Sequence, residues 1–319
     1  MGKVVALMEK AELLAIENDR LRRLATYASV SVALVLIAAK IAAWFLTDSV
    51  AMLSSLLDST IDLIASLVTA YGVAAALRPP DREHRFGHGK AEPLAALAQA
   101  AFIIGSSVLL GYEALHRFYH PQAITNLDFG YGTMVLAIML TAALVLFQRY
   151  VIRRTHSMAI GADRLHYVGD LAVNAAVIAA FALHQATGFD FFDPALALVI
   201  AGGLIFSAHH IAMHALIVLM DREVPDTQRE KIKSIVRAHP AVRGIHDMRT
   251  RSDSDRIFIE VHVELDPDMK LKEAHLVADG IERALIAEFP NADVLIHEDP
   301  AGLIEHRLDE QIAARSPPQ

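Results

Sequence analysis

Six stretches of mostly apolar residues set the terms for this chain. A bilayer's hydrocarbon core is about 30 Å thick and takes roughly 20 apolar helical residues to cross. Leu24 to Thr47, Val50 to Leu77, Pro93 to His116, Phe129 to Gln148, Leu165 to Thr187 and Pro194 to Met220 all meet that length. With 54% hydrophobic and 21% charged residues among 319, the chain is too apolar for a soluble enzyme of this size. The expected fold class is an α-helical membrane protein with six transmembrane helices, and the short connections make consecutive helices antiparallel.

Basic residues orient the bundle. Arg20, Arg22 and Arg23 precede the first helix, Arg78, Arg82, Arg85 and Lys90 lie between the second and third, and Arg149, Arg153, Arg154 and Arg164 lie between the fourth and fifth. The opposite loops, around Asp48, from Tyr119 to Asp128 and from Gly188 to Asp193, carry none, with Arg117 nearby as the exception. The positive-inside tendency then puts both termini in the cytoplasm. Residues 1–23 lack a signal-peptide core and cleavage site, and read as an amphipathic cytoplasmic lead-in.

After the six-helix domain of residues 24–220 the composition changes. Residues 221–319 contain 21 acidic and 14 basic side chains, so they hold seven of the eight units of net negative charge. Thr227 to Ala238 and Leu271 to Phe289 read as helices, and Arg243 to Arg251, Arg256 to Glu264 and Asp293 to His297 as strands. Alternation is clean in the second strand, with Ile257, Ile259, Val261 and Val263 on one side and Glu260, His262 and Glu264 on the other. The order α-β-β-α-β predicts a small α+β domain over residues 221–302, with helices on one face of the sheet. Residues 303–319 read as a frayed tail.

Cysteine is absent, which removes disulfides, thiolate metal sites and cysteine nucleophiles, and leaves His, Asp and Glu as the strong side-chain metal ligands. Asp58 and Asp62 in the second helix and His166 and Asp170 in the fifth are each spaced i, i+4, so each pair shares one helix face. A carboxylate in the hydrocarbon region costs roughly 2.5 to 3.5 kcal/mol on insertion scales, so these four groups represent on the order of 10 kcal/mol. A divalent ion bound by O,O and N,O faces in a tetrahedron would offset that burden. The plainer alternative is isolated protonated acids in a wet crevice, or acids paired with Lys40. Ser54, Ser55, Ser59 and Ala65 are small enough to let helices approach closely around the second-helix pair.

Together these features resemble the cation diffusion facilitator family, and in particular its bacterial homodimeric zinc and iron effluxers. The resemblance rests on Asp58-Ser-Thr-Ile-Asp62, Asp81-Arg-Glu-His84-Arg-Phe-Gly-His88-Gly-Lys-Ala-Glu, Arg153-Arg-Thr, Asp163-Arg-Leu-His-Tyr-Val-Gly-Asp170, Leu219-Met-Asp-Arg, His246-Asp-Met-Arg-Thr-Arg and Ile296-His-Glu-Asp-Pro. It implies a homodimer in a bacterial inner membrane, a metallochaperone-like cytoplasmic domain, and exchange of cytoplasmic Zn²⁺ for external protons through Asp58, Asp62, His166 and Asp170. Cd²⁺ and Fe²⁺ are further candidate ions. It also implies a charged interlock of Lys90 and Asp221, and a regulatory zinc site at His246, His262, His275, His297 and Asp299. Glu298 stands where relatives often carry a neutral amide.

Asp81, His84 and His88 can supply three ligands from one turn, although from the residues alone a solvated polar loop with incidental histidines is the better explanation. The resemblance favours a peripheral zinc site there, weakened by the charges of Arg82 and Arg85. His209, His210 and His214 on the sixth helix fall where the family has no ligands, and read as polar groups facing a cavity or the cytoplasmic interface.

The expected partners are a second copy of the chain, lipid, divalent metal ions and protons, with no nucleic acid and no organic cofactor. A membrane-anchored metal sensor or storage protein is the competing reading, and it leaves four ionisable groups at membrane depth unexplained. An intramembrane metalloenzyme is disfavoured because the chain has no His-Glu-x-x-His motif.

Overall fold

The structure is a computed structural model that describes residues 2–47, 50–120, 131–189, 191–254, 256–304 and 306–315. It divides into a unit of residues 15–216 and a second unit containing residues 217–319 together with residues 1–14.

The first unit is helical. It comprises α1 (Gly2–Thr47, whose first residues belong to the other unit), α2 (Val50–Ala76), α3 (Ala91–Tyr119), α4 (Tyr131–Thr155), α5 (Met158–Thr187) and most of α6 (Phe192–Leu219). All six are long and apolar enough to cross a membrane. Leu57, Ile61 and Ile64 on α2, Leu109 and Tyr112 on α3, and Val199 and Phe206 on α6 are at least half exposed. In water such surfaces would aggregate; against lipid tails they are solvated.

Several boundaries differ from the sequence expectation. No Gly or Pro interrupts residues 3–47, so the lead-in continues into α1 as one helix. Arg22, expected among the solvated charges before the first helix, is buried. Its Nη2 donates to the Thr155 carbonyl at 2.9 Å, and its Nη1 lies 3.6 Å from Glu92 Oε2, tying α1 to α3 and α4. Arg149, Arg153 and Arg154 lie within α4 and Arg164 within α5, because both helices run further than their apolar stretches. Long arginine stems allow this, since the apolar part packs while the charge reaches the polar boundary. The break between α4 and α5 is confined to His156, at φ 51°, and Ser157, whose Oγ accepts the Ile160 N–H at 3.3 Å as an N-cap. Of the expected outer loops, residues 48–49 and 121–130 lie outside the described residues, as do the side chains of Ser54 and Ser55.

At Gly72 on α2, an added Cβ would lie 2.3 Å from Ala95 Cβ on α3. Only glycine permits this approach. Pro93 falls in the first turn of α3, where its missing N–H has no helical acceptor to leave unpaired.

The second unit contains α7 (Asp226–Arg237), β1 (Gly244–Ser252), β2 (Ile257–Leu265), α8 (Leu271–Glu288), β3 (Ala292–Pro300) and α9 (Leu308–Arg315). The sheet order is β1-β2-β3, with β1 and β2 antiparallel and β2 and β3 parallel. A parallel pair needs a crossover, which α8 supplies. Ile259, Val261, Val263 and Leu265 of β2 pack with Ile232 and Val236 of α7 and Ile281 and Leu285 of α8, giving this unit a core of its own. Phe258 is also buried, with the Arg251 guanidinium 4.5 Å from its ring centroid.

The clearest correction is to part of the expected frayed tail, residues 308–315; residues 316–319 lie outside the described residues. Residues 308–315 form α9, and its N-terminus is capped from outside the helix, by Asp247. The Asp247 carboxylate accepts the Leu308 N–H at 2.9 Å and the Asp309 N–H at 2.8 Å, and Asp309 Oδ2 accepts the Asp247 N–H at 2.9 Å. A composition-based reading misses such a cap because its acceptor is 61 residues upstream of Leu308.

Candidate metal centres

Among the described residues, three groups of His and acidic side chains have ligand atoms within 4.8 Å of one another: Asp62, His166 and Asp170; Asp81, His84 and His88; and His246, His262 and Asp299.

The first lies between α2 and α5. His166 Nε2 is 2.9 Å from Asp62 Oδ1 and 3.9 Å from Asp170 Oδ2. Helical spacing puts His166 and Asp170 on one face of α5, and the α2–α5 approach brings Asp62 to them. Asp58, one turn before Asp62, lies outside the group, with its side chain exposed. Lys40, considered above as a partner for these acids, donates to Ser59 Oγ at 2.6 Å.

Beside this group is a buried polar network that the sequence reading did not single out. Asp163 Oδ2 accepts from Ser29 Oγ on α1 and from Gln148 Nε2 on α4, both at 2.7 Å. Ser66 on α2 is 3.4 Å from Asp163 Oδ1 and 2.9 Å from the Tyr167 hydroxyl. Three helices, α1, α2 and α4, therefore converge on the turn of α5 that precedes His166. The available signal was weak, since Ser29, Ser66 and Gln148 are each one of several polar residues in their segments.

The second group occupies the connection between α2 and α3. The Asp81 carboxylate accepts the backbone N–H groups of His84 at 2.7 Å and Glu83 at 2.9 Å. These bonds, the His84 N–H foremost, hold Asp81 below the usual carboxylate range. His84 Nδ1 lies 3.3 Å from Asp81 Oδ1 and His88 Nε2 lies 3.4 Å from Asp81 Oδ2. Gly87, at φ 85°, turns the chain between the two histidines.

The third group is built by strand register. His246 on β1 pairs with His262 on β2, which pairs with His297 on β3, so three histidines form one row across the sheet. Asp299 closes the row: its Oδ2 is 2.8 Å from His262 Nδ1 and 3.4 Å from His246 Nε2, and its Oδ1 is 3.2 Å from His297 Nε2. His297 is exposed and falls outside the tightest group. His275 does not join it either; on α8 it faces Asp279, 3.7 Å away and one turn on. The register is irregular between His246 and Arg249, where Asp247 adopts φ 47°. Burial opposes ionisation of Asp247, but the N–H groups of Asp309 and Leu308 outweigh it and hold the carboxyl below its usual range.

Neutral imidazoles with carboxylates suit a borderline dication, and all three groups have that donor set. Asp221 lies 3.6 Å from Arg251 in the second unit, and Lys90 is the N-cap of α3 in the first. His209, His210 and His214 have exposed side chains and belong to no such ligand group among the described residues.

Residues 26–220 match the family profile described as the cation efflux transmembrane domain, and residues 224–301 match that of the cation efflux protein cytoplasmic domain. The chain belongs to the cation efflux family. The cation-efflux pump FieF of Serratia proteamaculans (strain 568) is 41% identical over 285 residues, covering 89% of this chain and 95% of the relative. FieF of Pectobacterium carotovorum subsp. carotovorum (strain PC1) is 43% identical over 290 residues, covering 90% and 96%. Among solved structures, the Zn form of CzrB is 31% identical over 27% of this chain and 99% of its own, with a TM-score of 0.24. The metal-bound C-terminal domain of the CzcD transporter from Thermotoga maritima is 28% identical over 26% and 100%, also with a TM-score of 0.24. As a cation efflux protein the chain is an integral membrane transporter of metal cations, with six apolar helices and an α+β cytoplasmic domain, and not an enzyme.

Proposed function

We propose that this cation efflux protein is a homodimeric antiporter of a bacterial inner membrane, with both termini cytoplasmic, that exports Zn²⁺ in exchange for protons and also accepts Cd²⁺ and Fe²⁺. The observation that carries the reading is the meeting of His166 with Asp62 and Asp170 across α2 and α5, at 2.9 and 3.9 Å. Asp58 is the fourth ligand, recruited from one turn away on α2 when the ion enters. The transported ion binds only to deprotonated carboxylates and neutral imidazole. A site that faces the cytoplasm, where protons are scarce, therefore loads metal, and the same site facing a more acidic exterior exchanges it for protons. One imidazole among oxygen ligands favours zinc over harder ions.

Zinc is also the ion proposed for the other two groups. At Asp81, His84 and His88 it binds peripherally. On the cytoplasmic domain, His246, His262, His297 and Asp299 hold it, joined by His275, and it regulates transport. Lys90 and Asp221 form a charged interlock shared across the dimer.

Purified protein in liposomes, with a proton gradient and Zn²⁺, Cd²⁺, Fe²⁺ or Mn²⁺ supplied in turn, tests the reading. Gradient-dependent zinc accumulation that collapses with a protonophore is expected. Binding without accumulation would leave a sensor or store in its place.

A further inference from the structure

The matched cytoplasmic domain ends at residue 301, yet the chain continues and returns to the sheet beside His246. Arg307 Nη2 donates to Glu264 Oε1 at 2.5 Å, and Glu264 Oε1 lies 3.5 Å from His246 Nδ1. The other ring nitrogen, Nε2, faces Asp299 Oδ2 at 3.4 Å. His246 is therefore set between an outer carboxylate and the ligand group, with the outer carboxylate gripped by the tail.

Two further features support this arrangement. Gly244, paired with Glu264 across β1 and β2, leaves room for that side chain, since an added Cβ would lie 2.5 Å from Glu264 Oε2. Asp247, next to His246 in the irregular stretch of β1, exchanges hydrogen bonds with Asp309 and accepts one from Leu308. The tail thus holds the backbone on one side of His246 and the ring nitrogen on the other.

A histidine that binds metal through one nitrogen is oriented, and its tautomer fixed, by what the other nitrogen meets. A carboxylate drawn up to Nδ1, as Glu264 is at 3.5 Å, would keep the proton there and leave the Nε2 lone pair for a metal. Arg307, itself part-buried, fixes that carboxylate in place.

We propose that residues 306–315 are a built-in positioning element for the cytoplasmic metal site, in which Arg307 acts through Glu264 to set the ring of His246 and Asp309 acts through Asp247 to set its backbone. This rests on the reading of His246, His262 and Asp299 as zinc ligands, and it places determinants of their affinity outside the family domain.

The test uses the full-length protein in detergent and reads zinc binding locally, by amide hydrogen exchange in peptides covering β1 during a zinc titration. Peptides covering α5 report the membrane site in the same samples. Arg307→Ala and Glu264→Gln should each raise the zinc midpoint at β1 by about tenfold, as loss of an outer partner does elsewhere. The double variant should be no worse than either single one, because both break one relay. Asp309→Ala should raise the β1 midpoint as well, and the α5 midpoint should not move. Zinc-free exchange in β2 checks that each variant is folded, and a chain ending at Gly302 replaces any that is not. Midpoints at β1 within about twofold of the unmodified protein in the folded variants would overturn the proposal. Absence of any zinc-dependent protection at β1 in the unmodified protein would instead overturn the reading of the site itself, and the proposal with it.

Discussion

His166 on α5 and Asp62 on α2 meet at 2.9 Å, Nε2 to Oδ1, and this contact joins the two helices that carry the candidate transport ligands. Removing either side chain takes one ligand from the ion and breaks the contact that joins the two helices. Asp62→Ala, His166→Ala and Asp170→Ala are each expected to abolish zinc uptake into liposomes with the protein still folded and dimeric. Asp58→Ala is expected to do the same if the fourth ligand swings in with the ion. Near-normal uptake by any two of the four variants would remove the site from consideration.

Selectivity is expected to follow ligand chemistry. His166→Asp produces an all-oxygen site, harder and less suited to zinc. Uptake of Mn²⁺ relative to Zn²⁺ should rise in that variant. An unchanged ranking of Zn²⁺, Cd²⁺ and Mn²⁺ would assign selectivity to packing around the site.

The Asp163 network makes a prediction about stability. Asp163→Ala strands the buried Gln148 amide, now 2.7 Å from the carboxylate, and leaves Ser29 with Ser66, 3.0 Å away, as its acceptor. At about 1–3 kcal/mol for an unsatisfied buried group, the loss should lower the melting temperature in detergent measurably. Asp163→Asn, which keeps the shape and one acceptor, should be milder. Equal melting temperatures for the unmodified protein and Asp163→Ala would show that these bonds do not hold α5 in place.

Asp221 has an alternative partner to the proposed interlock in Arg251, 3.6 Å away. An exposed pair of this kind contributes only about 0–1 kcal/mol. Asp221→Ala should therefore leave the cytoplasmic domain folded, while on the proposed interlock transport falls with metal binding at Asp170 retained. Wild-type transport would reduce Asp221 to an ordinary surface charge.

The cytoplasmic unit has its own core around Ile259 and Val261, so residues 217–315 can be studied alone. Ligand linkage predicts that zinc at 100 times its dissociation constant stabilises the unit by about 2.7 kcal/mol. Acidification below the ordinary histidine range should erase the gain, because imidazolium has no lone pair to give. A melting temperature indifferent to zinc at neutral pH would return His246 and His262 to a purely structural role.

Local pattern carried much of the architecture. The six apolar stretches and the alternation of β2 are short-range signals, as is the i, i+4 spacing of His166 and Asp170. What the sequence could not carry was contact between distant positions. Asp58 and Asp62 look equivalent along α2, yet only Asp62 meets His166, because the α2–α5 crossing decides which turn is reached. His275 has the same residue type as His246, but α8 turns it toward Asp279. Arg22 reads as a flanking charge until Glu92 and Thr155 are brought to it. The capped tail depends on Asp247 in the same way.

The contact at Gly72 bears on how such a transporter can move. With no side chain between them, α2 and α3 are locked at the point where Gly72 meets Ala95, and sliding one along the other would drive backbone into a methyl group. The α2 residues of the proposed site would then travel with α3 as one lever, and the hinge of a transport movement would lie elsewhere in the bundle.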